Sequence, residues 1–167
     1  SHGMGLRAAQ LFADEGAKVL ATSWNMENLE KNLAGYSENI VLFQLDVREE
    51  DQWASAAAKA EELWGKIDIL VNNAGLSAKC DLLKETLEGW EAGLRMNLTS
   101  QFLGIKTVIP YMQKNGKGSI INCSSLTALK GSMDAGAPAY CSAKAGLRAL
   151  TRHVAYNFAK DNIRCNI

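Results

Sequence analysis

The chain has 167 residues, 47% of them apolar and 22% charged, which suits one soluble globular domain. Eighteen basic side chains balance eighteen acidic ones, which removes the electrostatic argument for a nucleic-acid or membrane-surface partner. No apolar run reaches the length of a membrane span, and no signal-peptide pattern is visible.

Residues 5–15 read as a helix with Leu6, Ala9, Leu11 and Phe12 on its apolar face, stopped by Gly16. A short apolar strand follows over 17–23, then a helix over 26–33 and a second strand over 39–45. An alanine-rich helix covers 49–64, and a third strand, 67–71, runs into Asn72-Asn73-Ala74-Gly75. Residues 87–115 are helical in two pieces, with the break expected at Asn97. A fourth strand covers 118–123, Pro138 opens a helix from Ala139 to Phe158, and 163–167 begins a fifth strand. Strands alternating with helices of this length imply right-handed βαβ units in a parallel, doubly wound α/β sheet. The two long connections, 74–83 and 124–137, both follow strands. In such sheets ligands bind beyond the carboxyl ends of the strands, so chemistry is expected there.

Four dispersed cysteines, Cys80, Cys123, Cys141 and Cys165, read as small apolar fillers of a reduced, cytoplasmic protein. His2 and His153 are too few for a metal site, and no metal is expected. Trp24, Trp53, Trp64 and Trp90 read as packing or surface residues.

Gly3-Met4-Gly5 precedes a helix, where bare backbone lets a diphosphate reach the free amides and the positive end of the helix dipole. The same glycines also suit a plain capping turn. Tyr140-Cys141-Ser142-Ala143-Lys144 puts a phenol and an ammonium four apart on one helical face. An ordinary phenol titrates near 10, so a tyrosine acting as acid and base near neutrality needs a nearby cation, and a lysine has the right sign. Taken singly, this spacing also arises by chance.

The ordered set carries the specificity: Gly3 and Gly5, then Asp46-Val47 at a strand end, Asn72 to Gly75, Asn97, Ser124-Ser125, and Tyr140 with Lys144. With these motifs in this order, the chain resembles the short-chain dehydrogenase/reductase family from Ser1 to Ile167. The resemblance implies a three-layer Rossmann-type domain over 1–167 that moves a hydride between a nicotinamide and a carbonyl or secondary alcohol.

By the same resemblance, Tyr140 would be the general acid/base, and Lys144 would assist the phenol and bond the nicotinamide ribose. Ser125 would polarise the carbonyl, with Ser124 as the alternative, and Asn97 would hold a water that links Lys144 to solvent. Gly3, Met4 and Gly5 would line the diphosphate, and Asp46 with Val47 would meet the adenine, although Asp46 also suits an ordinary strand end. Asn73, Ala74 and Gly75 would pass beside the adenosine ribose, while the Asn-Asn-Ala-Gly run also braces the sheet or makes a turn.

Where NAD-preferring members carry an Asp, this chain has Ser23, a residue that would not repel a 2′-phosphate. Trp24 and His2 stand near the positions of basic residues in NADP users. The reading leans to NADP over NAD. Ser125 lies fifteen residues before Tyr140, two more than the commonest family spacing, which a longer loop through Gly131 and Gly136 would absorb.

The resemblance further places the family's first strand before Ser1, between the strands 17–23 and 67–71, and its substrate loop after Ile167. It therefore reads the chain as truncated at both ends, with two strand edges left unpaired. Homodimers or homotetramers are expected of the family. Two other readings share parts of the pattern: a sugar-nucleotide epimerase or dehydratase, and a catalytically silent dinucleotide sensor.

Overall fold

The computed structural model describes residues 3–36, 38–130 and 137–167. Ser1, His2 and the loop through Gly131 and Gly136, singled out above, lie outside the described residues. The chain divides into two compact units, Ser1–Gly65 and Lys66–Ile167.

In the first unit, α1 (Gly3–Asp14), β1 (Val19–Ser23), α2 (Met26–Leu33), β2 (Ile40–Gln44) and α3 (Glu50–Trp64) follow the expected order. The sequence pattern started the first helix at Gly5. The helix instead takes in both glycines, and Gly3 has a left-handed backbone (φ 64°) that a side chain would strain. β1 and β2 pair in parallel, with Val19 opposite Ile40 and Ser23 opposite Gln44. Ala13, Ala21, Leu29, Leu33 and Ile40 form the core, with Leu6, Val19, Met26 and Leu42 packed on it. Asn25 caps α2 by accepting the amide of Asn28, and Gly65 ends α3 in the left-handed conformation.

The second unit carries β3 (Ile69–Asn72), α4 (Leu87–Leu94), α5 (Ser100–Asn115), β4 (Gly118–Asn122), α6 (Thr127–Lys130), α7 (Pro138–Phe158) and β5 (Ile163–Asn166). Its strands pair in parallel in the order β3-β4-β5. Pro138 sits at the first turn of α7, where its missing N–H costs nothing. The four-residue α6 falls inside a stretch that reads as loop. It is too short to show a helical period.

The break expected near Asn97 is a widened turn rather than an interruption. Arg95–Thr99 form a π-helical segment, closed by the Ser100 amide on the Arg95 carbonyl. Such turns are frequent at functional sites. Met112, Ile120, Leu147 and Ile163 are among the fully buried side chains of this unit. Gly118 is bare because a Cβ there would collide with the Met112 side chain.

Among the described residues β1 pairs only with β2, and β3 only with β4, so each leaves one strand edge unpaired. These are the two edges that the sequence reading leaves open.

Candidate active site

Within the second unit, the residues singled out from the sequence gather beyond the carboxyl ends of β3 and β4, where parallel sheets bind ligands. Lys144 is the best anchored. Its side chain is 2% exposed, its Nζ donates to the Cys123 carbonyl at 2.8 Å, and that nitrogen lies 5.7 Å from the centre of the Tyr140 ring. The second distance is within cation–π range, so the spacing of four on α7 does bring phenol and ammonium together. Burial pushes the Lys144 ammonium below its ordinary range, while the neighbouring Cys123 acts in the opposite sense.

Asn97 is fully buried in the π turn, and its amide is almost wholly committed. Oδ1 accepts the Leu76 amide at 2.9 Å, and Nδ2 donates to the Leu76 carbonyl at 2.8 Å and the Gly93 carbonyl at 3.0 Å. The side chain thus grips the backbone just after Gly75. A Cβ built on Gly75 would stand 2.9 Å from Asn97 Oδ1 and 3.3 Å from Lys144 Nζ. Gly75, Asn97 and Lys144 therefore form one cluster, closed enough to require the glycine, while Gly75 is exposed on its other side.

Gln101, four residues past Asn97, holds the neighbouring strand end: its Nε2 donates to the Ala74 carbonyl at 2.7 Å. The sequence reading missed it, though a position one turn beyond Asn97 could have flagged it. Asn73 Oδ1 accepts from the Cys123 thiol at 3.6 Å, tying the ends of β3 and β4 together. Asn72, the first residue of the Asn-Asn-Ala-Gly run, is buried and donates to Asn122 Oδ1 at 2.9 Å. Its role is bracing.

The two serines after β4 differ in their partners. Ser124 Oγ donates to the Lys144 carbonyl at 3.5 Å. Ser125 Oγ accepts from the Thr127 amide at 3.2 Å and pairs with the Thr127 hydroxyl at 2.9 Å. That turn leads into α6, which packs on α7.

In the first unit, the Ser23 hydroxyl is 9% exposed and accepts the Asn25 amide at 3.1 Å, so it also shapes the entry to α2. The carboxylate of Asp46 receives both the backbone amide and the guanidinium of Arg48, and the Asp46 amide donates to Gln52 at 2.7 Å. Val47 accepts the Trp53 indole N–H at 2.9 Å, which gives Trp53 the packing role read from the sequence. Trp24 is 71% exposed and borders an open concavity with Phe43, Gln44, Asp46, Gln52 and Ser55. Met4, between the two glycines of α1, is exposed. Among the described residues, no group of three His, Cys, Asp or Glu could hold a metal, and no helix is long and apolar enough to cross a membrane.

A family model described as enoyl-(acyl carrier protein) reductase matches residues 1–167. A crystal structure assigned to the short-chain dehydrogenase/reductases, from Burkholderia xenovorans, superposes with a TM-score of 0.94 at 30% identity, covering 99% of this chain and 66% of that one. The chain belongs to the short-chain dehydrogenase/reductases. The 3-oxoacyl-[acyl-carrier-protein] reductase FabG of Thermotoga maritima is 36% identical, over 98% of this chain and 67% of its own length. The 2,5-dichloro-2,5-cyclohexadiene-1,4-diol dehydrogenase LinX of Sphingobium indicum is 35% identical, over 98% of this chain and 66% of its own. The trans-4-hydroxycyclohexanecarboxylate dehydrogenase of Sinomonas cyclohexanicum is 36% identical, over 99% of this chain and 61% of its own. The chain thus spans about two-thirds of the length of these oxidoreductases.

Proposed function

We propose that residues 1–167 act as one nicotinamide-binding catalytic domain of an oxidoreductase that interconverts a carbonyl and a secondary alcohol. The observation that carries this reading is the burial of Lys144 between the Cys123 carbonyl and the Tyr140 ring, beside Gly75 and Asn97. A buried ammonium with one hydrogen bond to a carbonyl keeps two N–H groups for other acceptors.

Each unit has residues that would hold part of a nicotinamide dinucleotide. In the second unit Gly75 is exposed and bare, and in the first the left-handed Gly3 begins a twelve-residue helix with open space where a side chain would stand. Gly3, Met4 and Gly5 would line its diphosphate. Asp46 and Val47, with the exposed face of Trp24, would receive the adenine, and Asn73, Ala74 and Gly75 would border the ribose. When bound, the cofactor supplies or accepts the hydride.

In the reductive direction, the Tyr140 hydroxyl would give its proton to the carbonyl oxygen as the carbonyl is reduced. The Lys144 ammonium would stabilise the phenolate left behind, and its remaining N–H groups would hold the nicotinamide ribose. Ser125 would donate its hydroxyl proton to the carbonyl oxygen and hold it in line. Asn97 fixes the Leu76 backbone, and so Gly75. It also stands where a water could pass protons from Lys144 to solvent.

Ser23 favours NADP: its hydroxyl accepts from Asn25 yet can still donate to a 2′-phosphate, and no carboxylate stands there to repel one. The named activities of the relatives suggest 3-oxoacyl thioesters and alicyclic alcohols as substrates. A cytoplasmic homodimer or homotetramer is the setting we expect.

The test is a substrate panel of acetoacetyl-coenzyme A, 4-hydroxycyclohexanecarboxylate and a sugar alcohol, run with NADP(H) and NAD(H), together with Tyr140→Phe. Turnover of a panel member that Tyr140→Phe lowers at least a thousandfold, with cofactor affinity within about threefold, is the expected result. Substantial turnover by Tyr140→Phe removes Tyr140 from its role, and tighter binding of NAD overturns the cofactor preference.

A further inference from the structure

Gly93, the penultimate residue of α4, has two ties to the site. Its carbonyl accepts Asn97 Nδ2 at 3.0 Å. Its missing side chain leaves room for α7: a Cβ on Gly93 would lie 2.5 Å from the Cβ of Ala139, closer than real Cβ atoms approach. Ala139 is 5% exposed and is the residue immediately before Tyr140. A methyl one bond from the backbone cannot swing aside, so relief requires the backbone of α4 or of the start of α7 to shift. That start is stiff, with Pro138 in the first turn and the Cys141 amide closed on the Ala137 carbonyl at 2.9 Å. Lys144, one turn on, has its own anchor on the Cys123 carbonyl at the end of β4. A shift at Ala139 therefore changes the distance between phenol and ammonium instead of moving both together.

We propose that Gly93 is a positioning residue for Tyr140, setting through Ala139 how closely the phenol approaches Lys144. The inference rests on Tyr140 being the proton donor and acceptor.

Gly146 offers a built-in contrast. A Cβ there would meet only the tip of the Leu98 side chain, at 3.0 Å, and a leucine tip can rotate away. Alanine is also the better helix former, so a defect in Gly93→Ala cannot come from weakening α4.

The experiment uses the native protein, the panel probe that it turns over, and four variants: Gly93→Ala, Ala139→Gly, the double variant, and Gly146→Ala. Gly93→Ala is expected to lose at least tenfold in kcat and to displace the pH profile of kcat, with cofactor Kd, read by nicotinamide fluorescence, within twofold. Adding Ala139→Gly removes the clashing methyl and should restore kcat to within threefold of the Ala139→Gly single variant. Gly146→Ala should stay within threefold of the unmodified protein.

Unchanged kcat and pH profile in Gly93→Ala overturn the proposal, as does a loss that the second substitution fails to repair. Failure of Gly93→Ala to yield folded protein by circular dichroism also overturns it and makes the contact a purely structural one. Tyr140→Phe, assayed in parallel, separates the two ideas: if it keeps its turnover, the underlying reading of Tyr140 fails whatever Gly93 does.

Discussion

Cys165 is 6% exposed on β5, with Asn122 Nδ2 donating to its sulfur at 3.4 Å. Burial raises its thiol from 9.0 to about 11, with the hydrogen bonds from Asn122 and Thr151 pulling the other way. A raised acid loses proton affinity on unfolding, so its contribution to stability is complete below pH 9 and is lost as the pH climbs through 11. Stability should therefore fall between those values, and Cys165→Ala should flatten that part of the curve. A thiol reagent at pH 8 should label the half-exposed Cys80, Cys123 and Cys141 in the native protein, and Cys165 only after unfolding. Rapid native labelling of all four thiols would contradict this. At the same scale, the Tyr140–Lys144 pair was legible because helical spacing alone places side chains four apart on one face. What holds Lys144 was not, since the Cys123 carbonyl is 21 residues away and carries no side-chain signature. Ser124 and Ser125 differ in their partners, the Lys144 carbonyl for one and Thr127 for the other, which spacing could not supply.

The strand trio β3-β4-β5 is laced by a buried polar chain. Asn72 donates to Asn122, and Asn122 donates to Thr151 of α7 at 3.0 Å and to Cys165 of β5. Asn122→Leu would strip the Asn72 amide of its shorter partner, leaving only the Gln101 carbonyl at 3.4 Å. One poorly satisfied buried amide costs about 2 kcal/mol. Measured on the native protein rather than on this stretch expressed by itself, the urea midpoint should drop accordingly with an unchanged m-value, and an unshifted midpoint would show that the polar chain braces nothing. Periodicity found the long elements well, because α3 and α7 each run for several turns. It failed for α6, four residues long, and it placed the start of α1 at Gly5 because glycine reads as a boundary. The break at Asn97 was legible as a change of pattern, but its nature as a π turn was not, since composition does not encode turn width.

At the level of the whole chain, β1 and β3 each expose one row of backbone donors and acceptors among the described residues. Apolar strand residues are also uncovered, with Ile69 44% and Ile121 37% exposed. Parallel strands of this composition suit a sheet covered on both faces. Expressed by itself, the 167-residue stretch is expected to aggregate through these edges and to melt without a cooperative transition. A sharp, reversible melt of soluble monomer, followed by calorimetry, would refute that. The parallel α/β architecture was legible from the alternation of elements. The two strand edges that the sequence reading leaves open are likewise unpaired among the described residues.

The wide turn at Arg95–Thr99 contains one more residue than an α-helix would use. Each residue of helix is a rotation of about 100°, so α4 and α5 run out of phase by that angle. Asn97 lies within this wide turn and Gln101 just past it, and both side chains bond backbone carbonyls. Deleting a single residue there would heal the helix into one smooth rod and rotate everything downstream by about a quarter-turn, taking Gln101 away from Ala74. Length at this point thus works as an angular coordinate, and a one-residue deletion makes a change that no substitution can reproduce.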